Sequence, residues 1–399
     1  MKLILFLLCF SSAIAQQTVY QSFEVDSTAE PRGGTPFLNT FLQTNLRKPT
    51  AAAAKGIGGR VIVSAIVEPD GSVSDVKVVN SLRPDCDREA IRAFSLFKAW
   101  KPGFKGGKPV RQQITTAVLF KPNAPFIYNN GARINYFDAD RKVLPDSSDK
   151  ARYKQAFPLD SNGFANGDII VYKGKGANWK EEYRTPFVRQ VNEPIGLSSQ
   201  STITIGYQNA SKLWDGEVLM LSESGSIISQ LLYKNGMPTG AAVNYSPNGI
   251  VSDKREEFEE GFTATYWYDN GQIREMRLTK KVKPTEKPTP STVMAFWTST
   301  GQQLVKDGNG RAVNKEQMPS RAYSMEKTTL IEEGLYENGL KQGLWTGRYT
   351  DGSYFYEENY DKGICSGGKP KEWGEIRYII LRRSNRPSLR VECRHWVNF

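Results

Sequence analysis

The only histidine in this chain of 399 residues is His395, close to its C-terminal end. A Ser-His-Asp or Cys-His nucleophile system therefore cannot be assembled elsewhere, and His395 reads as a surface or half-packed residue of the closing segment. The four cysteines, Cys9, Cys86, Cys365 and Cys393, show no Cys-x-x-Cys spacing, which argues against a structural zinc site. Asp138, Asp140, Asp146 and Asp149 lie close enough to suggest a calcium loop. However, Val143 stands where an EF-hand needs glycine and Lys142 takes a ligand position, so a solvated acidic turn is the better reading. The glycine clusters Gly56 to Gly59, Gly174 to Gly176 and Gly308 to Gly310 lack the strand-to-helix context and the lysine of a phosphate loop. The acidic pairs Glu256-Glu257, Glu259-Glu260 and Glu332-Glu333 are of the type a glycosidase uses, yet they are equally common on exposed hairpins. Tyr266-Trp267-Tyr268 and Tyr354-Phe355-Tyr356 would put alternate rings on one strand face. They form either a ligand-binding strip or, as the preferred reading, the packing that small hairpins need. The expectation is a protein that is not an enzyme and uses no cofactor and no metal.

The formal charge of +11 comes from basic residues scattered along the chain, apart from Arg382-Arg383 and their neighbours. That distribution argues against nucleic acid and for a weak, salt-screened attraction to anionic envelope polymers. Lys2, the apolar run Leu3 to Phe10 and the small residues around Ala13-Ile14-Ala15 form a signal peptide, with cleavage expected before Gln16. Leu8 before Cys9 argues against a lipid-anchored cysteine. The apolar run is shorter than the roughly 20 residues that a membrane helix needs. In an oxidising compartment Cys365 and Cys393, both C-terminal, are the expected disulfide, while Cys86 precedes a predicted helix. Three unpaired buried thiols are the alternative.

The elements that position any binding surface begin with Phe37, Phe41 and Leu42, spaced along one helix face and stopped by Lys48-Pro49. Ala51 to Ala54 reads as a short turn. Val61, Val63, Ala65 and Val67 alternate in the first of two strands joined at Pro69-Asp70-Gly71. Asp87 is expected to cap a helix with Ala90, Ile91, Phe94 and Phe97 as its apolar stripe, ended by Trp100-Lys101-Pro102-Gly103. A last strand runs from about Val110 to Phe120. The order predicts a small α+β domain over residues 36–122, with two helices and a three-stranded antiparallel sheet, after a short linker at 16–35.

Phe41-Leu42, Asn45-Leu46, Lys48-Pro49, Gly56-Ile57, Gly59, Val61, Asp70-Gly71, Val76, Val78, Ser81, Asp87, Glu89-Ala90, Trp100-Lys101-Pro102-Gly103, Gly106 and Val110 follow one another in an order and spacing that resemble the C-terminal domain of TonB. TonB couples inner-membrane energy to outer-membrane receptors. Lys48 departs from the pattern, which usually has an aromatic before the proline. The resemblance covers about a fifth of the chain. It implies that the last strand offers an edge, here Ile114, Thr115, Thr116, Ala117, Val118, Leu119 and Phe120, to which a short receptor segment adds as a further strand. The alternative is an edge covered by the rest of the chain or by a second copy, making a homodimer. A TonB transducer places a membrane anchor and a long Pro-rich spacer before this domain. Here a cleaved leader precedes it and further sequence follows, which points to docking instead of energy transduction.

From about Phe126 to Gly367 the texture changes to short strands, aromatic pairs and glycine turns, among them Asn235-Gly236, Asn248-Gly249 and Asn270-Gly271. Glu333-Gly334-Leu335-Tyr336-Glu337-Asn338-Gly339, Gly343-Leu344-Trp345-Thr346-Gly347, Tyr349, Asp351-Gly352, Tyr354, Tyr360 and Gly363 resemble MORN repeats of the diverged bacterial type. The fold class expected for this part is a mostly β, hairpin-repeat array. Its divisions are degenerate β repeats or a linker domain at 123–210, MORN-like repeats at 211–281 and 292–368, a Pro-rich linker at 282–291, and a basic closing segment at 369–399 with a strand at Ile376 to Leu381. The combined expectation is an exported protein of a Gram-negative periplasm or outer membrane, an adaptor that captures an outer-membrane receptor or other envelope protein by strand addition. The alternative is an envelope scaffold whose array binds protein, glycan or lipid, with the TonB-like unit as a docking module.

Overall fold

A computed structural model describes residues 18–193, 200–281, 290–319, 327–352 and 355–371. The leader, most of the Pro-rich linker, the strand at Ile376 to Leu381, Cys393 and His395 lie outside the described residues.

Helix α1, Gly34–Asn45, buries Leu38, Phe41, Leu42 and Asn45 along one face. The four alanines after Pro49 form a short helix, α2, Thr50–Ala54, where a turn was expected. Alanine has the highest helix propensity, and Pro49 supplies a fixed φ at the start. Strands Gly59–Val67 and Val73–Asn80 form the expected hairpin, with Val61, Val63, Ala65 and Val67 at most 1% exposed. Gly71 carries φ +84° in their turn, and a Cβ there would lie 2.4 Å from the Trp100 carbonyl oxygen, so only glycine fits.

Helix α3, Pro84–Ser95, starts three residues before Asp87. Proline at the first helical position sets that start, and the Asp87 carboxylate reaches back to accept from Ser81 Oγ and the Leu82 amide. Its buried stripe is Cys86, Ala90, Ala93 and Phe94, continued by Phe97, and Ile91 is only half-buried. Glu89, 8% exposed, binds Arg92 at 2.7 Å and accepts the Arg47 amide at 2.5 Å. Arg92 in turn donates to the Asn45 carbonyl at 2.6 Å, tying α3 to the end of α1.

Strand Lys108–Phe120 pairs antiparallel with Gly59–Val67 from Gln112 to Phe120. A two-residue strand, Val19–Tyr20, adds in parallel at Arg111 and Gln112. The sheet therefore has two more short strands than expected, this one and Gly103–Lys105, which pairs antiparallel with Lys108, Pro109 and Val110, because strands of two or three residues leave no periodicity in a sequence.

Beyond Phe120 strands pair with their chain neighbours, except that in the sheet at 127–185 Ala132–Phe137 pairs with both Val143–Leu144 and Tyr153–Pro158, which do not pair with each other. Three meanders result, spanning residues 127–185, 187–305 and 310–371. These limits differ from the expected divisions. Strands Phe187–Asn192 and Thr202–Gln208 belong to the ten-stranded second sheet, and Ile273–Lys280 pairs with Thr292–Trp297 across the Pro-rich stretch. A proline loop between two strands leaves their ladder intact when none of its prolines enters the ladder.

Two turn geometries alternate. Asn235-Gly236 and Asn338-Gly339 have both residues at positive φ, the two-residue turn that matches strand twist. At Asn248-Gly249 and Asn270-Gly271 only the glycine is positive, within longer turns closed by Gly249 to Ser246 and Gly271 to Tyr268 hydrogen bonds. These longer turns all lie at one end of the ten-stranded sheet, and that end packs onto α1 and α3. Lys98 donates its amide to the Asn270 carbonyl at 2.8 Å, and Val251 donates to Asn45 Oδ1 at 2.8 Å. Arg32 reaches the Thr300 carbonyl, and Phe37 meets Trp297 edge-on at 5.1 Å. Leu38, Phe41, Leu42, Phe94 and Phe97 thus share one core with Ile250, Val251, Trp267, Ile273 and Trp297. The helices lie between the first sheet and the turn end of the array.

In the aromatic runs Trp267, Tyr268 and Tyr356 serve packing, while Tyr354 lies outside the described residues. Trp267 is 5% exposed in that shared core, and the Tyr268 hydroxyl donates to the Trp297 carbonyl. In the last sheet Trp345 lies over Gly334 and Tyr356 over Gly347, where any Cβ would collide with the ring. Glycine opposite an aromatic lets the ring lie flat on the neighbouring strand.

Candidate peptide-binding edge

Strand Lys108–Phe120 has hydrogen-bonding groups on two sides, and adjacent residues alternate between them. Leu119 identifies the outer set: its carbonyl accepts from Gln43 Nε2 of α1 at 2.8 Å, away from the hairpin. Thr115 and Ala117, four and two residues before it, aim their N–H and C=O the same way. Ile114, Thr116, Val118 and Phe120 direct theirs toward Gly59–Val67. Among the described residues no strand lies on the outer side beyond Gln112. Of the seven residues singled out from the sequence, the side chains of Val118 and Phe120 point into the core at 0% and 1% exposure, while Leu119 stays 45% exposed.

Two features of this edge escape sequence reading. One is Val19–Tyr20, held by Gln21 Nε2 donating to Gln113 Oε1 at 2.9 Å and by Lys105 Nζ 4.3 Å from the Tyr20 ring. The other is the two-pronged contact of Arg111 with Glu68, at 2.8 and 2.9 Å, which clamps the start of the edge strand to the hairpin turn. Arg111 donating to it, more than any other cause, holds the Glu68 carboxyl below its ordinary value of 4.5. A depressed carboxylate stabilises the fold fully above the unfolded value and ceases to as pH falls through the folded one. The stability gap between the wild type and Glu68→Gln should therefore close on acidification below about 4.5. Urea unfolding at stepped pH measures this, and a gap that persists in acid would contradict it.

Elsewhere the structure offers little chemistry. Asp138 Oδ1 accepts the amides of Asp140 and Lys142, and Asp146 that of Ser148, so both carboxylates are spent on turns. No group of three or more His, Cys, Asp or Glu placed to hold a metal occurs among the described residues. The Cys86 thiol is free and fully buried, and burial pushes it up to about 11. Cys365 is disulfide-bonded, and its expected partner Cys393 lies outside the described residues. No helix among those residues is long and apolar enough to cross a membrane.

The stretch from Asn45 through the edge strand is where the comparison with known families falls. Residues 45–122 match the family described as Gram-negative bacterial TonB protein C-terminal. No curated protein and no solved structure matched the chain. The TonB-like match ends two residues beyond Phe120, so it covers α2, α3, the hairpin and the candidate edge, and none of the meanders.

Proposed function

We propose that the chain is a non-enzymatic binding protein of the Gram-negative periplasm or outer membrane, whose TonB-like unit captures an extended segment of an outer-membrane receptor on Thr115–Leu119. The observation that carries this reading is the open outer edge of Lys108–Phe120, which already accepts one strand from the chain's own Val19–Tyr20. An edge of unpaired backbone groups takes an added strand with main-chain hydrogen bonds, and alternate side chains supply selectivity. The family match over residues 45–122 supports it independently.

A second reading, an envelope scaffold whose MORN-like array is the working part, is favoured by the aromatic-over-glycine stacking at Gly334 and Gly347. The array then presents an extended surface, and the TonB-like unit caps one end of its largest sheet. Cys365 paired with Cys393 would fasten the closing segment to the last sheet in either reading. A non-reducing proteolytic digest should yield that linked peptide pair, and a free Cys393 thiol would rule it out.

Fluorescence anisotropy of labelled peptides from the periplasmic segments of outer-membrane receptors, titrated with the mature chain, tests the first reading. Saturable binding is expected, and no binding at millimolar concentration would sink it. Sedimentation of the unliganded chain reports whether a second copy covers the edge instead.

A further inference from the structure

A cavity of about 350 Å³ lies where the corner between α1 and α2 meets the sheet at residues 127–185. At roughly 30 Å³ per water, it has room for about a dozen waters or one small organic molecule. Phe126, Phe157 and Leu159 supply most of its wall and remain only half-buried. Folding therefore leaves apolar surface facing this space uncovered.

Its polar groups share one sign. Lys48 and Arg133 both line the cavity, and no aspartate or glutamate does. Lys48 Nζ donates to the Lys121 carbonyl at 2.8 Å and to Asn123 Oδ1, which uses two of its three donors. Desolvation, only partly opposed by neighbouring charge, lowers the Lys48 pKa. The Arg133 guanidinium stacks 5.0 Å from the Phe126 ring, and no carboxylate among the described residues pairs with it. Two cations without a counter-ion beside an apolar wall are complementary to an anion with a hydrocarbon body.

The frame is already anchored. Thr50 donates its amide to the Ser161 carbonyl at 3.0 Å and its hydroxyl to the Asp160 carbonyl at 2.5 Å. The Phe126 amide donates to the Ala54 carbonyl at 3.0 Å, and Asn123 Nδ2 to the Ala53 carbonyl at 2.8 Å. A ligand would meet walls that need little ordering, which limits the entropic cost of binding.

We infer that this cavity binds a small amphipathic carboxylate, its carboxylate group held between Lys48 and Arg133 and its hydrocarbon body against Phe126, Phe157 and Leu159. None of the residues Ile114 to Phe120 lines this site, which meets the edge strand only through the Lys48 bond to the Lys121 carbonyl.

Isothermal titration calorimetry of the mature chain with octanoate tests it, with octylamine, octan-1-ol and inorganic phosphate as comparators. Octanoate should bind with one-to-one stoichiometry, octylamine should give no heat, and octan-1-ol and phosphate should each bind more weakly because each lacks half of the recognition. Arg133→Gln should weaken octanoate roughly tenfold or more, the loss expected for a hydrogen bond to a charged group. Arg133 is exposed and donates no hydrogen bond to another described residue, so this variant keeps the fold even if Lys48→Met does not. The inference is overturned by absence of octanoate binding at millimolar concentration, by equal binding of octylamine, or by wild-type affinity in Arg133→Gln.

Discussion

Replacing Gly271 by valine should loosen the array from the TonB-like unit and cost roughly 2–5 kcal/mol, the sum of a left-handed backbone on a β-branched residue and an overpacked core. Gly271 sits at φ +89°, and a Cβ there would lie 2.8 Å from the Phe41 ring and 3.0 Å from the Phe97 ring. Both rings are at most 1% exposed, so neither has space to retreat. The neighbouring turn supplies the control. Gly249 has nearly the same backbone, φ +82°, but a Cβ there would meet no atom within 4 Å. Gly249→Val therefore carries the backbone strain without the clash, and the difference between the two variants reports the docking alone. Thermal unfolding should show a lower midpoint for Gly271→Val than for Gly249→Val, and limited proteolysis should cut between the unit and the array only in the former. Equal behaviour of the two variants would mean that the turn does not carry the docking.

Ala117→Pro should abolish most of the receptor-peptide binding while leaving the chain folded. Proline is tolerated on an edge strand where the lost N–H faces outward, and Ala117 shares the outward set marked by the Leu119 carbonyl bonded to Gln43. The variant removes one donor from an added strand and sets a ring in its path. One lost main-chain hydrogen bond is worth about 1 kcal/mol, so with the steric obstruction the affinity should fall roughly tenfold or more. Val118→Pro makes the opposite case: its N–H belongs to the ladder with Gly59–Val67, opposite Val61, and its loss should destabilise the fold. Wild-type peptide affinity in a folded Ala117→Pro chain would move the binding surface elsewhere.

The elements of the TonB-like unit were legible because each obeys a local rule. Alternation at Val61, Val63, Ala65 and Val67 wrote a half-buried strand, and the spacing of Phe37, Phe41 and Leu42 wrote a helix face. Errors arose where two local rules competed. Asp87 carries the mark of a helix cap, yet Pro84 starts the helix one turn earlier. Ala51 to Ala54 lie between a proline and a glycine but still coil into a helix. The candidate edge was legible as a strand, and the family resemblance is what proposes it as a binding surface. Which of its backbone groups remain open was not, since that depends on the register with Gly59–Val67 and on Gln43 arriving from α1.

The sequence by itself determined the succession of helices and hairpins, the restriction of histidine to position 395, and the mixture of one small α+β unit with a long β array. These follow from side-chain periodicity, turn residues and composition, all of which act over a few neighbouring residues. Only the tertiary structure decided that Phe41 and Phe97 are buried from two sides, that Val19–Tyr20 lies on the edge strand, and that Lys48 and Arg133, 85 positions apart in the chain, line one cavity. An apolar helix face reads the same whether one sheet or two will cover it, and a lysine near a proline reads as surface until a distant strand closes over it. Contacts between segments so far apart are chosen by shape and burial across the whole chain, and no local pattern records them.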